Sequence, residues 1–350
     1  MSPGRFVALL VLALAVIGGA YWLSSQRVVH RDPDFGVPVL PGLAASLDSV
    51  SAIRLIGAGE SPLVNLRRVE GHWIVDGVGY RADGARIRQL LMALGALHVL
   101  EPKTRDAARY PALGVEETSA AGAQSLRIEL RGPAPPVALL VGRPAGDEGQ
   151  YVRVSGTAQA VEARPLLRIT RDPRQWLARA ILDVAPERIA SIDFAPVDAP
   201  RWRALRSSRT ALHVDVANLP AGSEIASRGA LDGATGLLRA LEFDDVRPSA
   251  GDSGSAPAAR TTVRCFDGLV IDLIGHRDGA DGWITVSARF DAAAAERNPP
   301  GSGEPAPGAE AVLAEATRIA NTAAGWQYRI ADDRYAGLFL DISHSLLPRH

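Results

Sequence analysis

The sequence predicts an α+β protein of two related modules, each a mostly antiparallel sheet with a helix packed on one face. Three observations predict it. Short runs alternate apolar and polar residues, as half-buried strands do. Two longer runs place apolar residues at helical spacing. The same succession of runs then occurs twice along the chain. With 350 residues, 47% of them hydrophobic, there is material for a sizeable core, in one large domain or two small ones.

The first element is an apolar run. Phe6–Leu23 reads FVALLVLALAVIGGAYWL and holds no charged residue. As a helix it would span roughly 27 Å, close to the ~30 Å hydrocarbon core of a bilayer. Phe6, Leu9, Leu10, Leu12, Leu14, Ile17 and Leu23 supply the apolar surface. Tyr21 and Trp22 stand at its far end, where amphipathic aromatic rings favour the membrane interface. Three readings compete. An uncleaved anchor uses the whole run. A cleaved signal ends after the small residues Gly18-Gly19-Ala20. A buried core helix suits an all-round apolar segment at a chain terminus poorly. The anchor is the preferred reading, and both it and the signal export the rest of the chain. Arg27 and Arg31 on the far side weaken the charge asymmetry that would fix orientation. Residues 1–26 are therefore expected to be the anchor or signal. Residues 27–45, with three prolines between His30 and Gly42, are expected to be an extended tether.

The first module is expected over 46–185 and the second over 186–350. Val50–Leu55 and Ile189–Phe194 open them as alternating strands. A tryptophan-bearing strand comes second in each, Trp73-Ile74-Val75 and Trp202–Leu205. Helices come next. Ile87, Leu90, Leu91 and Leu94 repeat at i, i+3, i+4 and i+7, and Ala234, Leu237, Leu238 and Leu241 do the same. Asp83 and Asp232 are placed to cap their N-termini. Both helices run out toward a proline, Pro102 and Pro248. Leu126–Leu130 answers Thr262–Phe266, and Leu140–Arg143 answers Leu273–His276. Gly146–Gly149 and Gly279–Gly282 read as hairpin turns, since Gly and Asp tolerate positive φ. Tyr151–Val154 and Trp283–Val286 return. Each module is expected to close on an apolar helical run, Trp176–Leu182 in one and Tyr335–Leu340 with Leu346-Leu347 in the other. Two Pro/Gly/Ser/Ala-rich stretches, 248–260 and 296–310, read as flexible insertions.

Composition narrows the function. The chain carries 38 basic and 39 acidic residues, a net charge of −1, which gives no long-range pull on nucleic acid. Lys103 is the only lysine. The arginines are spread along the whole chain, which points to GC-rich coding sequence rather than to a recognition surface. Cys265 is the only cysteine, so an intrachain disulfide is impossible, and its apolar alternation makes it a small core residue.

No catalytic or metal-binding constellation emerges. The histidines His30, His72, His98, His213, His276, His344 and His350 show no helical ligand spacing. Gly57-Ala58-Gly59 lacks the third glycine of a dinucleotide loop, and Pro62 comes soon after. Asp244 and Asp245 are adjacent, which on a strand sends them to opposite faces. Trp73, Trp202, Trp283 and Trp326 are expected to pack against sheets. No cofactor, metal or catalytic residue is expected, and the protein is read as a non-enzyme.

The succession of phrases resembles the bacterial family known as domain of unknown function 4340. It is carried by the apolar segment, Val39-Leu40-Pro41-Gly42, the strand Val50–Leu55, and Arg67-Arg-Val-Glu-Gly-His-Trp73. Tyr110-Pro-Ala-Leu113-Gly114-Val115 and the hairpin strand Tyr151-Val-Arg153 complete it. The likeness is best from Pro41 to Phe194. It implies an accessory role in ABC-type export or gliding-motility-like systems and implies no catalytic residue. The insertions in the second half and the tail Leu346–His350 depart from the pattern. The expectation is thus a single-pass inner-membrane protein with its bulk in the periplasm. It would act as a tethered accessory or scaffold subunit, in contact with lipid and with envelope proteins such as an ABC permease. The alternative is a periplasmic binding module for a lipid, glycan or peptide, held in a cleft between the modules.

Overall fold

The computed structural model describes residues 35–133, 136–211, 213–217, 223–225, 228–249, 259–298, 307–341 and 346–348. The apolar run Phe6–Leu23, with its anchor residues, lies outside them. Most of the insertions expected at 248–260 and 296–310 lies outside them too. Among the described residues no helix is long and apolar enough to cross a membrane.

The fold is α+β, with mostly antiparallel sheets and few helices. In chain order the first elements are β1 (Ala52–Ile56), β2 (Pro62–Val69), β3 (His72–Val75) and β4 (Tyr80–Arg81). Helix α1 (Gly84–Gly95) leads to β5 (His98–Thr104) and then to a single helical turn, α2 (Tyr110–Leu113). Then come β6 (Leu126–Arg131), β7 (Val137–Ala145), β8 (Gly149–Val154) and β9 (Ala160–Arg164). Next are β10 (Ala180–Leu182), β11 (Ile189–Ala195), β12 (Trp202–Leu205), β13 (Asp215–Val216) and β14 (Ser223–Ile225). Helix α3 (Arg228–Gly236) precedes β15 (Leu241–Glu242), β16 (Asp245–Pro248), β17 (Ala259–Cys265), β18 (Leu269–Asp278) and β19 (Asp281–Phe290). The chain ends with α4 (Ala292–Arg297), α5 (Ala309–Ala323), β20 (Trp326–Ile330), α6 (Asp332–Leu338) and β21 (Leu346–Pro348).

These elements form two compact units that do not track the chain in simple succession. One comprises the described residues up to Glu70 together with those of Ala85–Pro173. The other comprises Gly71–Gly84 together with the described residues from Arg174 onward. The β3–β4 hairpin therefore belongs to the second unit, although its tryptophan reads in sequence as part of the first module.

In the first unit the strands run β2-β1-β6-β7-β8-β9-β5. Alternation puts Ile53 and Leu55 on the core side, where Ile53 faces Leu66 and Leu130, and Leu55 faces Val64 and Ile128. All six are nearly inaccessible to solvent. Helix α1 buries Ile87, Leu90, Leu91 and Leu94, the stripe expected from its spacing.

In the second unit the main sheet runs β13-β12-β11-β17-β18-β19-β20-β16. Ile192 faces Ala204 and Val263 on its core side, and Phe194 stacks on Trp202 with ring centroids 4.0 Å apart. Helix α5 lies along β19 and β18, burying Val312, Ala316, Ile319 and Ala323. Tyr80 brings the β3–β4 hairpin into an aromatic cluster with Phe243, Trp326 and Tyr328 at centroid distances of 5.4, 5.0 and 5.9 Å. The two tyrosine hydroxyls hydrogen-bond at 3.2 Å. Burial raises the pKa of both, so they remain neutral.

Four local expectations change. Leu346-Leu347, expected to continue a helical run, lies in β21, which pairs with β14. Trp176–Leu182 is not helical. A 3₁₀ turn, Pro173–Trp176, gives way to β10, which pairs with β15. Short apolar runs carry no period that separates buried helix from buried strand. The helix at Ala234–Leu241 is displaced, because α3 stops at Gly236 and Leu241 opens β15. Asp232 lies inside α3 and accepts hydrogen bonds from His213 Nδ1 (2.8 Å) and the Val214 N–H (3.2 Å). Burial opposes its charge, but these donors outweigh burial and lower its pKa.

Arg188, at the entry to β11, donates to Asp267 (2.7 Å) and to both oxygens of Glu315 on α5 (3.1 and 2.8 Å). Burial works against its charge, and the two carboxylates more than compensate, so its pKa is raised. Cys265 is buried nearby, and burial first, then the Asp267 charge, raises the thiol pKa. A raised pKa keeps the sulfur protonated and unreactive. Native protein at neutral pH is therefore expected to leave Cys265 unmodified by an aromatic disulfide reagent, with full reaction on denaturation. Stoichiometric labelling before unfolding would contradict the assignment.

Candidate functional site

The residues singled out by sequence do not converge. Among the described residues no group of three or more His, Cys, Asp or Glu side chains could hold a metal. His98 Nδ1 donates to the Ala96 carbonyl, and its Nε2 accepts from Arg164 (3.0 Å each). His30, His344 and His350 lie outside the described residues. Asp244 pairs with Arg179 (2.9 Å) and Asp245 with Arg174 (3.3 Å), two separate contacts. Ala58–Glu60 is a 3₁₀ turn, and Glu60 is tied to Arg127 and Thr118 rather than left to frame an anion loop. Of the tryptophans, Trp202 packs on Phe194, Trp326 meets Tyr80 edge-on, and Trp283 lies 3.8 Å under the Arg247 guanidinium.

The first unit brings two of the quoted phrases together. Arg153, the arginine of Tyr151-Val-Arg153, is 4% exposed. Its guanidinium donates to the carbonyls of Val115 (2.9 Å) and Thr157 (2.8 Å) and to Glu117 (2.8 Å). It also lies 4.3 Å over the Tyr110 ring. Tyr110 in turn donates to the Ala158 carbonyl (2.6 Å), and Val115 and Ala160 complete the buried cluster. Each of the three guanidinium nitrogens donates within the chain, so this arrangement holds the Tyr110–Val115 turn in place.

The second unit is different. On the outward side of its sheet is a concavity of about 390 Å³, lined by Asp193, Ala195, Arg201, Arg203, Arg260, Thr262 and Arg264, with Phe194 and Trp202 beneath. Strand register explains it. Residues on one face alternate, so three rows cross β12, β11 and β17. Arg203, Asp193 and Thr262 form the middle row, while Leu205, Ser191 and Arg264 form the row beside it. Ala195 faces Arg260, and Arg201, one residue before Trp202, stands on its other side. The central strand thus carries the short side chains Ser191, Asp193 and Ala195, flanked by long arginines. This difference in length makes the hollow.

Its charge is uneven. Asp193 gives one oxygen to Arg203 and the other to Arg264. Thr262 Oγ1 donates to Asp272 (2.6 Å), which also approaches Arg289 at 3.8 Å. Arg201 and Arg260 are exposed and form no ion pair with a described residue. Among the lining residues there are four arginines against one carboxylate. Such a surface can bind an anion bidentately. Sequence reading passed over it because arginines scattered along a chain show no cluster until register is known. The signal was present in Arg201-x-Arg203 and Arg260-x-Thr262-x-Arg264, each an alternating strand face beside the short Asp193-x-Ala195.

A family described as Domain of unknown function (DUF4340) matches residues 73–257, more than half of the chain. No curated protein and no solved structure matches it.

Proposed function

The chain belongs to the DUF4340 family, and from that premise we propose that it is a membrane-tethered, extracytoplasmic, non-enzymatic accessory protein, serving an ABC-type transport system. The observation that carries the reading is the uncharged run Phe6–Leu23 succeeded by a proline-rich stretch. Leaving so much apolar surface in water is costly, and lipid removes that cost. The two α+β units then serve as the exposed working part.

An internal duplication is part of the proposal. Its support is the strand order. β2-β1-β6-β7-β8-β9-β5 in one unit and β12-β11-β17-β18-β19-β20-β16 in the other match position for position and in order along the chain. Helices α1 and α3 each fall between the early strands and the last strand of that order.

Fractionation tests the tether. The full chain is expected in the membrane pellet, resistant to carbonate and released by detergent. Crosslinking in native membranes is expected to recover a permease-type partner. Finding the intact chain soluble inside the cell, or recovering no membrane partner, overturns the proposal. A second reading, a ligand-binding module, is favoured by the arginine-lined hollow on the second unit.

A further inference from the structure

We infer that the hollow on the second unit binds a phosphate monoester through Arg201 and Arg260. The inference does not depend on the tether and stands if that reading fails. The three rows of the sheet carry the argument. In the middle row and its neighbour, Arg203 and Arg264 share the carboxylate of Asp193, so the chain itself supplies the anion between two guanidiniums. Beyond it Arg260 pairs with Ala195, whose methyl group supplies no charge, and Arg201, the residue before β12, lines the same end of the hollow. Strands β12 and β17 flank β11, each one strand spacing of roughly 4.8 Å away, so long side chains from the two sides can close on one group over β11.

Charge and shape choose the ligand. Two guanidiniums not matched by a described carboxylate call for about two negative charges, which a phosphate monoester carries at neutral pH and a carboxylate or phosphodiester does not. A tetrahedral phosphate also offers acceptor oxygens to both forks at once. The volume, about 390 Å³, exceeds what an isolated ion fills, so the phosphate would be borne by a larger polar group. Thr262 is already committed to Asp272. It therefore sets the floor and does not act as a donor to the ligand.

The test uses the detergent-solubilised full chain and two probes that separate the sources of the same chemistry. These are glucose 1-phosphate in solution and phosphatidic acid in phosphatidylcholine vesicles. Saturable binding of either is expected, weakened at least tenfold in R201S/R260S and less in R201K/R260K. It should be unchanged in R88S/R131S, which removes two exposed arginines from the other unit. Binding of the sugar phosphate alone assigns a soluble ligand, and binding that requires phosphatidic acid, beyond that to vesicles of phosphatidylcholine alone, assigns a lipid headgroup. Absence of saturable binding to both probes overturns the inference. So does equal affinity in the R201S/R260S variant, shown to be folded by an unchanged thermal transition.

Discussion

Placing valine at Gly282 is expected to destabilise the second unit by about 3–5 kcal/mol, from overpacking and from lost burial beneath one short helix. A Cβ at Gly282 would lie 2.4 Å from Cδ2 and 2.9 Å from Cβ of Tyr335. At Gly275, on the paired strand, it would lie 2.5 Å from the Phe339 ring and 2.8 Å from the Tyr335 hydroxyl. Helix α6 therefore rests directly on a stretch of β18 and β19 that glycine leaves bare. Added carbon forces α6 to lift, exposing Tyr335, Leu338 and Phe339, all now buried. G275V should behave alike. Gly233 supplies the contrast. It sits in α3 with nothing within 4 Å of an added Cβ, so G233A should be neutral or stabilise by up to about 1 kcal/mol through helix propensity. Urea titration of the three variants checks this. A midpoint for G282V equal to that of G233A would refute the seat.

The second large effect is expected at Arg153. R153A removes a buried guanidinium from two carbonyls, a carboxylate and an aromatic ring. The carbonyls of Val115 and Thr157 then lose their donor, and the loss is expected to be about 3 kcal/mol. R153K should recover little of it, because an ammonium cannot reach divergent acceptors as a planar fork does. Hydrogen exchange at Val115 and its neighbours should accelerate in both variants. Protection identical to that of the unaltered chain would show that the turn is held by something else.

The two outcomes bear on how far the sequence can be read. Helix α1 was legible because Ile87, Leu90, Leu91 and Leu94 repeat at the helical period, and the strands because their alternation is regular. Helix α5 was not. Its buried face, Val312, Ala316, Ile319 and Ala323, is half alanine, and it comes after a Pro/Gly-rich stretch that reads as insertion. The membership of the β3–β4 hairpin was also illegible, because it is fixed by contacts with residues far along the chain. The arginine hollow needed the register of three strands at once. Arg153 was visible as part of a phrase, but its role appeared only when the fold brought that phrase to Tyr110.

The hairpin carries a consequence for biosynthesis. Tyr80 precedes Tyr328 by 248 residues. At ribosomal rates of about 5–20 residues per second, that is a wait of roughly 12–50 s. During it the ring has no native hydroxyl partner and no Phe243 or Trp326 to lean on for most of the time. Until then the Tyr80 ring lacks the packing it has in the folded second unit. A stop codon before Phe243 would remove all three aromatic partners of Tyr80 for good.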